Sequence, residues 1–211
     1  SLNMVVLKMI DWIIYLAPLG VFALMASLVG QMGIEAFRPL ALYILVVIIG
    51  LLIHVSVVLS GSLIFLGHYS PIQLFKNMFP AFATAFSTDS SVATLPVTMD
   101  CLEQNVGVSK RVTGFVTPLG ATINMDGTAL YQGVATIFLT QFYNIELSIT
   151  QTVMLVITTI GASIGTPGVP GVGLVILATI LTTVGVPPEG IALILGVDRI
   201  LDMCRTTINV T

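Results

Sequence analysis

The sequence predicts an all-α membrane protein, built of transmembrane helices and two re-entrant helical hairpins. Three observations carry that prediction. The chain is 56% hydrophobic, with a mean hydropathy of +1.06. Only 8% of it is charged, against about 25% in a soluble domain. Its apolar segments are interrupted twice, at corresponding places, by runs of Ser, Thr, Gly and Pro. The net charge is −3 and the basic residues never cluster, which removes the electrostatic footprint of a nucleic-acid binder.

A spanning helix takes about 20 mainly apolar residues. Residues 10–33 supply one, with Pro18 and Gly20 inside it, which membrane helices tolerate. Residues 37–67 supply a second, long enough to lie tilted. Residues 72–105 read apolar, then "TAFSTDSSVATLP", then apolar again. Each arm is too short to span, so this is the first hairpin. Residues 112–143 form a helix with "NMDGT" at its centre. Residues 148–186 repeat the hairpin plan around "GASIGTPGVPGVG", and residues 190–211 form the last helix. Two interrupted segments, each followed by a polar-centred helix, make a weak internal repeat. Such pairs point to the binding site of a secondary transporter. If the first hairpin re-enters, Lys8, Lys76, Lys110 and Arg111 share one side and Arg38 takes the other. The positive-inside rule then opens the first hairpin to the cytoplasm and the second to the outside. The chain starts without Met and stops inside a helical pattern at Thr211, as a piece of a longer protein would.

In the last helix Asp198, Asp202, Arg205 and Asn209 follow i, i+4, i+7, i+11 spacing and share one face, with Thr206 beside them. A charge at a helix centre costs about 2.5–3.5 kcal/mol, so Asp126, Asp202 and Arg205 together cost on the order of 10 kcal/mol before partners are counted. Two readings are open. Asp202 and Arg205 neutralise each other as an i,i+3 structural pair, or they receive a zwitterion. In the second case Asp202 takes an ammonium and the fork of Arg205 takes a carboxylate. Asp198 is structural or functional on equal terms.

The hairpin tips leave backbone groups unpaired at membrane depth, tolerated only where they line a cavity or bind something. Helix N-termini there suit a carboxylate and unwound carbonyls suit a cation. Ser90, Ser91 and Thr94 either join that site or bond back to their own helix. "NMDGT" interrupts its helix and offers amide, carboxylate and carbonyl oxygens, which are hard-cation ligands. Cys101 and Cys204 read as packing residues. "GASIG" imitates a nucleophile motif, but the histidines, His54 and His68, lie on the long second helix and its end, and no strand precedes the serine. Asn209-Val210-Thr211 imitates a glycosylation sequon at membrane depth. An intramembrane aspartyl hydrolase using two of Asp126, Asp198 and Asp202 would need them to converge at a wet cleft, and leaves both polar tips without a role. A channel is a third alternative.

"STDSSVATLP", "NMDGT", "SIGTPGVPG" and "LDMCRTTINVT" resemble the motifs of the dicarboxylate/amino acid:cation symporters, the family of the glutamate and aspartate transporters, and the resemblance covers the whole chain. It implies an inverted-repeat, elevator-type transport domain in a homotrimeric, multi-pass carrier of the plasma (cell inner) membrane. Residues 1–33 would be the last scaffold helix and 34–211 most of the transport domain. No resident cofactor is implied. The activity implied is symport of L-glutamate or L-aspartate with sodium or protons; Arg205 separates this from neutral amino-acid carriers, and Asp202 from C4-dicarboxylate carriers.

By the same resemblance, substrate meets the backbone of the first tip at Asp89, Ser90 and Ser91 and that of the second at Val169, Pro170, Gly171 and Gly173. Thr128, Asp202, Arg205, Thr206 and Asn209 contribute side chains. Gly120, Asn124, Asp126 and Asn209 would hold cations at two sites, with Thr122, Met125, Ser163, Ile164 and Thr166 lending backbone oxygens or sulfur to the one closed by the second hairpin. Gln132 replaces the glutamate of potassium-antiporting relatives, which argues against potassium countertransport. Relatives often place an arginine at the position of Asp89 or of Met203. This chain has neither. Arg199 lies one turn before Met203 on the same face, which predicts an Asp89–Arg199 pair.

Overall fold

A computed structural model describes residues 37–187 and 190–211, together with Leu19, Gly20, Phe22, Ala23, Ala26 and Gly30. Apart from those six positions, the expected scaffold helix over 1–33 lies outside the described residues. All regular structure among the described residues is helical.

Helix α1, Phe37–Phe65, is long and apolar enough to cross a membrane. It buries Leu40, Tyr43, Val47 and Leu51, one stripe at helical spacing. Leu42, Leu45, Val46, Ile49 and Leu52 are exposed. A π turn, His54–Leu59, interrupts it, and such turns recur at functional positions.

Helix α2, Pro71–Thr88, starts with Pro in its first turn, where the missing N–H costs nothing. It ends at Asp89, whose φ of 54° is left-handed, a conformation Asp tolerates better than most residues. Ser90 then caps α3, Ser91–Cys101, by accepting the Ala93 amide at 3.1 Å. A π turn, Leu102–Val106, extends α3, and α2 packs along it. This helix pair occupies the segment read as the first hairpin.

Helices α4, Lys110–Ile123, and α5, Asp126–Phe142, are separated at Asn124 and Met125, inside "NMDGT". Helix α6, Ile149–Ile164, opens with a reciprocal capping box between Ser148 and Gln151. A non-helical stretch leads from Gly165 to Gly171, and α7 follows as Val172–Thr183. Helix α8, Ile191–Val210, closes the chain and packs against α1, α2, α3, α4 and α5.

The main core lies between α1, α5, α7 and α8, around Tyr43, Val47, Tyr131, Leu139, Leu177, Leu181, Ile194 and Leu201. Tyr43 stacks on Phe138 at 4.9 Å and meets Tyr131 edge-on at 6.5 Å. Met78, Ala81, Phe82 and Cys101 form a smaller core between α2 and α3. Outside, Ile72, Phe79, Phe115, Ile149 and Val175 are each at least two-thirds exposed. Apolar surface on that scale suits contact with lipid or a partner rather than water.

Candidate functional site

The polar face of α8 points inward, and Asp198, Asp202, Arg205, Thr206 and Asn209 are all buried. Arg205 is 0% exposed, so its charge must be met by protein. Its Nε donates to Asp202 Oδ1 at 2.7 Å and its Nη1 to Asp198 Oδ1 at 3.3 Å. The Tyr131 ring lies 3.8 Å from Cζ, a cation–π contact that also excludes water. Among the described residues Nη2 has no hydrogen-bond partner. It lies against Gly173, where an added Cβ would stand 3.0 Å from it. The i,i+3 pair left open by the sequence is therefore formed, and one guanidinium nitrogen remains for something else.

Both broken helix ends converge on this face. At the first, Asp89 Oδ2 accepts from Arg199 Nη1 at 2.8 Å and Oδ1 accepts from the Thr206 hydroxyl at 3.0 Å, so the Asp89–Arg199 pair expected from face counting is in the structure. Thr94 bonds back to the Ser90 carbonyl at 2.7 Å. Ser90 instead donates across to the Gly168 carbonyl at 2.7 Å, joined there by the Val92 amide at 3.3 Å. An added Cβ on Gly168 would fall 2.7 Å from Ser91 Oγ, so the two tips meet at a glycine. At the second tip, the Gly171 amide donates to Asp202 Oδ2 at 3.1 Å.

"NMDGT" is organised by Asn209. Its Oδ1 accepts the Gly127 amide at 2.8 Å and its Nδ2 donates to Thr128 Oγ1 at 2.9 Å and Met125 Sδ at 3.3 Å. Asn124 Nδ2 donates to the Asn209 carbonyl at 3.2 Å. Asp126 Oδ2 lies 2.7 Å from His54 Nε2, while Oδ1 is buried without a partner among the described residues.

Asp89, Ser91, Thr128, Val169, Gly173, Asp202, Arg205, Thr206 and Asn209 line one cleft, together with Met125 and Thr166 of the expected cation set. Its volume is about 20 Å³, room for about one water and far too little for an amino acid. The second tip is thus folded down onto α8. Gly120 and Asn124 line a neighbouring cavity of about 270 Å³ that also touches Ser91 and Asn209. Three hydroxyls in the expected cation set bond back to their own helices: Thr122 to Leu119, Ser163 to Ile160 and Thr166 to Ala162. Only the backbone oxygens of those residues were expected to serve. Ile164 is exposed. A groove of about 820 Å³ between α1, α5 and α6 is walled by apolar residues such as Leu42, Val46 and Val134 and lies away from the charged face.

Three contributors escaped the sequence reading. His54 was weighed only as a possible hydrolase partner; its one signal was a polar ring inside a 29-residue apolar helix. Tyr131 and Gly168 carried no local signal, since their roles arise from contacts between distant segments.

A membrane-type helical chain with a buried, charge-bearing helix face beneath two broken helix pairs has the make-up of a transporter. The model of the sodium:dicarboxylate symporter family matches residues 1–211. Over 213 residues the chain is 46% identical to excitatory amino acid transporter 1 of Bos taurus, with 100% of this chain and 39% of the relative covered. It is 43% identical over 212 residues to excitatory amino acid transporter 4 of Mus musculus, with 100% and 38% covered. It is 44% identical over 211 residues to excitatory amino acid transporter 2 of Homo sapiens, with 99% and 37% covered. The chain belongs to the sodium:dicarboxylate symporter family. It spans about two-fifths of the length of these relatives.

Proposed function

We propose that these residues form the substrate- and cation-binding part of a secondary active symporter for acidic amino acids, L-glutamate or L-aspartate. The observation that carries the reading is Arg205: wholly buried, held by Asp202, Asp198 and Tyr131, and left with Nη2 at the cleft wall. A fixed guanidinium in a dry site selects a carboxylate strongly. The same arrangement suits exchange of partners. The ammonium of an incoming amino acid would take Asp202, releasing the Arg205 fork to the side-chain carboxylate.

Coupling follows from the neighbouring groups. Gly120, Asn124, Asp126 and Asn209 would hold co-transported cations, sodium or protons, with Thr122, Met125, Ser163, Ile164 and Thr166 contributing backbone oxygens or sulfur. Cation binding would order the second tip over the substrate, so that the domain moves only when fully loaded or empty. In this reading the two helix pairs are re-entrant hairpins of an elevator-type transport domain, residues 34–211, carried beside a scaffold in a homotrimer of the plasma membrane. Asp126 and its unpaired Oδ1 support the cation role, because a buried lone carboxylate oxygen is costly unless something charged or hydrogen-bonding meets it. The test is cation-driven uptake of labelled L-aspartate by the purified protein in proteoliposomes.

A further inference from the structure

The first tip carries a carboxylate that the transport reading does not use. Asp89 has a side chain 0% exposed, while its partner Arg199 is 50% exposed. Both carboxylate oxygens are committed, Oδ2 to Arg199 and Oδ1 to the hydroxyl of Thr206. The second bond has a directional consequence. A hydroxyl owns one hydrogen and two lone pairs, and an ionised carboxylate can only accept. Thr206 has therefore given its single hydrogen to Asp89 and turns only lone pairs toward the cleft it lines. One turn earlier on the same face stands Asp202, also an acceptor.

We propose that Asp89, anchored by Arg199, is a positioning residue that holds Thr206 as an acceptor, so that Thr206 and Asp202 together select a substrate bearing an ammonium group over a plain dicarboxylate. This rests on the acidic amino-acid reading above. An ammonium brings three donors and no acceptor, which fits a wall of acceptors. A succinate-like dicarboxylate brings only acceptors to the same wall and is repelled there. Arg199 is what allows Asp89 to sit buried, since a buried carboxylate stripped of its partner is strongly destabilising. It is a local charge balance: Asp89 adds no net charge to the cleft while fixing the direction of one hydrogen.

The experiment measures L-aspartate uptake and its inhibition by succinate for the full-length protein in proteoliposomes, with Asp89→Asn, Arg199→Gln, Thr206→Ser, Thr206→Val and the double variant Asp89→Asn/Thr206→Val. In Asp89→Asn the amide oxygen faces Arg199, so its NH₂ faces Thr206 and reverses the hydroxyl. Loss of a hydrogen bond to a charged group is worth roughly tenfold or more in affinity. The expected result is that the ratio of the succinate inhibition constant to the aspartate KM falls at least about tenfold in Asp89→Asn and Thr206→Val, whereas Arg199→Gln, which leaves Asp89 an acceptor of the Thr206 hydrogen, lowers stability and keeps the ratio. Thr206→Ser should keep the ratio of the unsubstituted protein, and the double variant should be no worse than Thr206→Val alone, because the two substitutions act on one hydrogen. Thr206→Val, with Thr206→Ser as its control, carries the test should Asp89→Asn fail to fold. Equal losses for aspartate and succinate, an unchanged ratio in Asp89→Asn or Thr206→Val, or multiplied effects in the double variant would overturn the proposal while leaving the transport reading intact. An unsubstituted protein that takes up no aspartate would overturn both.

Discussion

The side chain of Asn209 and the backbone of Gly127 meet across 82 positions of sequence, Oδ1 accepting the amide at 2.8 Å. The contact joins the start of α5 to the end of α8, and glycine makes it possible. An added Cβ at position 127 would stand 2.8 Å from the Arg205 carbonyl and 2.9 Å from Asn209 Oδ1. Backbone cannot swing aside as a side chain can. Gly127→Ala should therefore push the two helices apart at a cost of about 1–3 kcal/mol, the usual range for overpacking. Thermal unfolding in detergent would show a lowered midpoint, with uptake reduced in parallel. An unchanged midpoint would mean the helices are not in contact there.

Asn209 serves as acceptor and donor at once, so its two halves can be separated. Asn209→Ala leaves the buried Gly127 amide unpaired, a loss of about 1–3 kcal/mol. Asn209→Asp restores the acceptor but not the donors to Thr128 and Met125. Stability should recover in large part with Asp, whereas aspartate affinity should not. Chemical denaturation and KM measured on the same preparations separate the two effects.

At the junction of the tips, Gly168→Ala would set a Cβ 2.7 Å from Ser91 Oγ and 3.1 Å from the Ala121 carbonyl. Closure of the second tip should weaken, raising the aspartate KM roughly tenfold, equivalent to about 1.4 kcal/mol. Adding Ser91→Ala removes the nearer obstacle and should return part of the affinity. Independent, additive effects of the two substitutions would show that the tips do not meet at this point.

Arg205→Cys removes the fork proposed to read a second carboxylate. Aspartate affinity should fall by about two orders of magnitude, the worth of one or two charge-assisted hydrogen bonds, while a measurable affinity for small neutral amino acids such as serine appears. Loss of binding for every amino acid would assign Arg205 a structural role instead.

Much of this site was legible in the sequence because its parts break local rules. Ser, Thr, Gly and Pro runs inside apolar segments located both tips, and the helical period alone gathered Asp198, Asp202, Arg205 and Asn209 onto one face. Counting turns from Met203 also found Arg199 as the partner of Asp89. Illegible were the contacts that depend on which helices pack together. Nothing local joins His54 to Asp126, 72 positions away, or lays the Tyr131 ring over Arg205. Spacing could not show that Asp202 and Arg205 would pair while the second tip also holds Asp202, since that requires α7 and α8 to be placed against each other.

The central claim is cation-coupled transport of an acidic amino acid through the Asp202/Arg205 face. Its most direct test is uptake of labelled L-aspartate into proteoliposomes containing the full-length protein, with inward sodium and proton gradients imposed one at a time. Accumulation above equilibrium under one of these gradients, abolished in Arg205→Cys, is the predicted result; uptake that merely equilibrates under both, or that Arg205→Cys leaves unchanged, would contradict it.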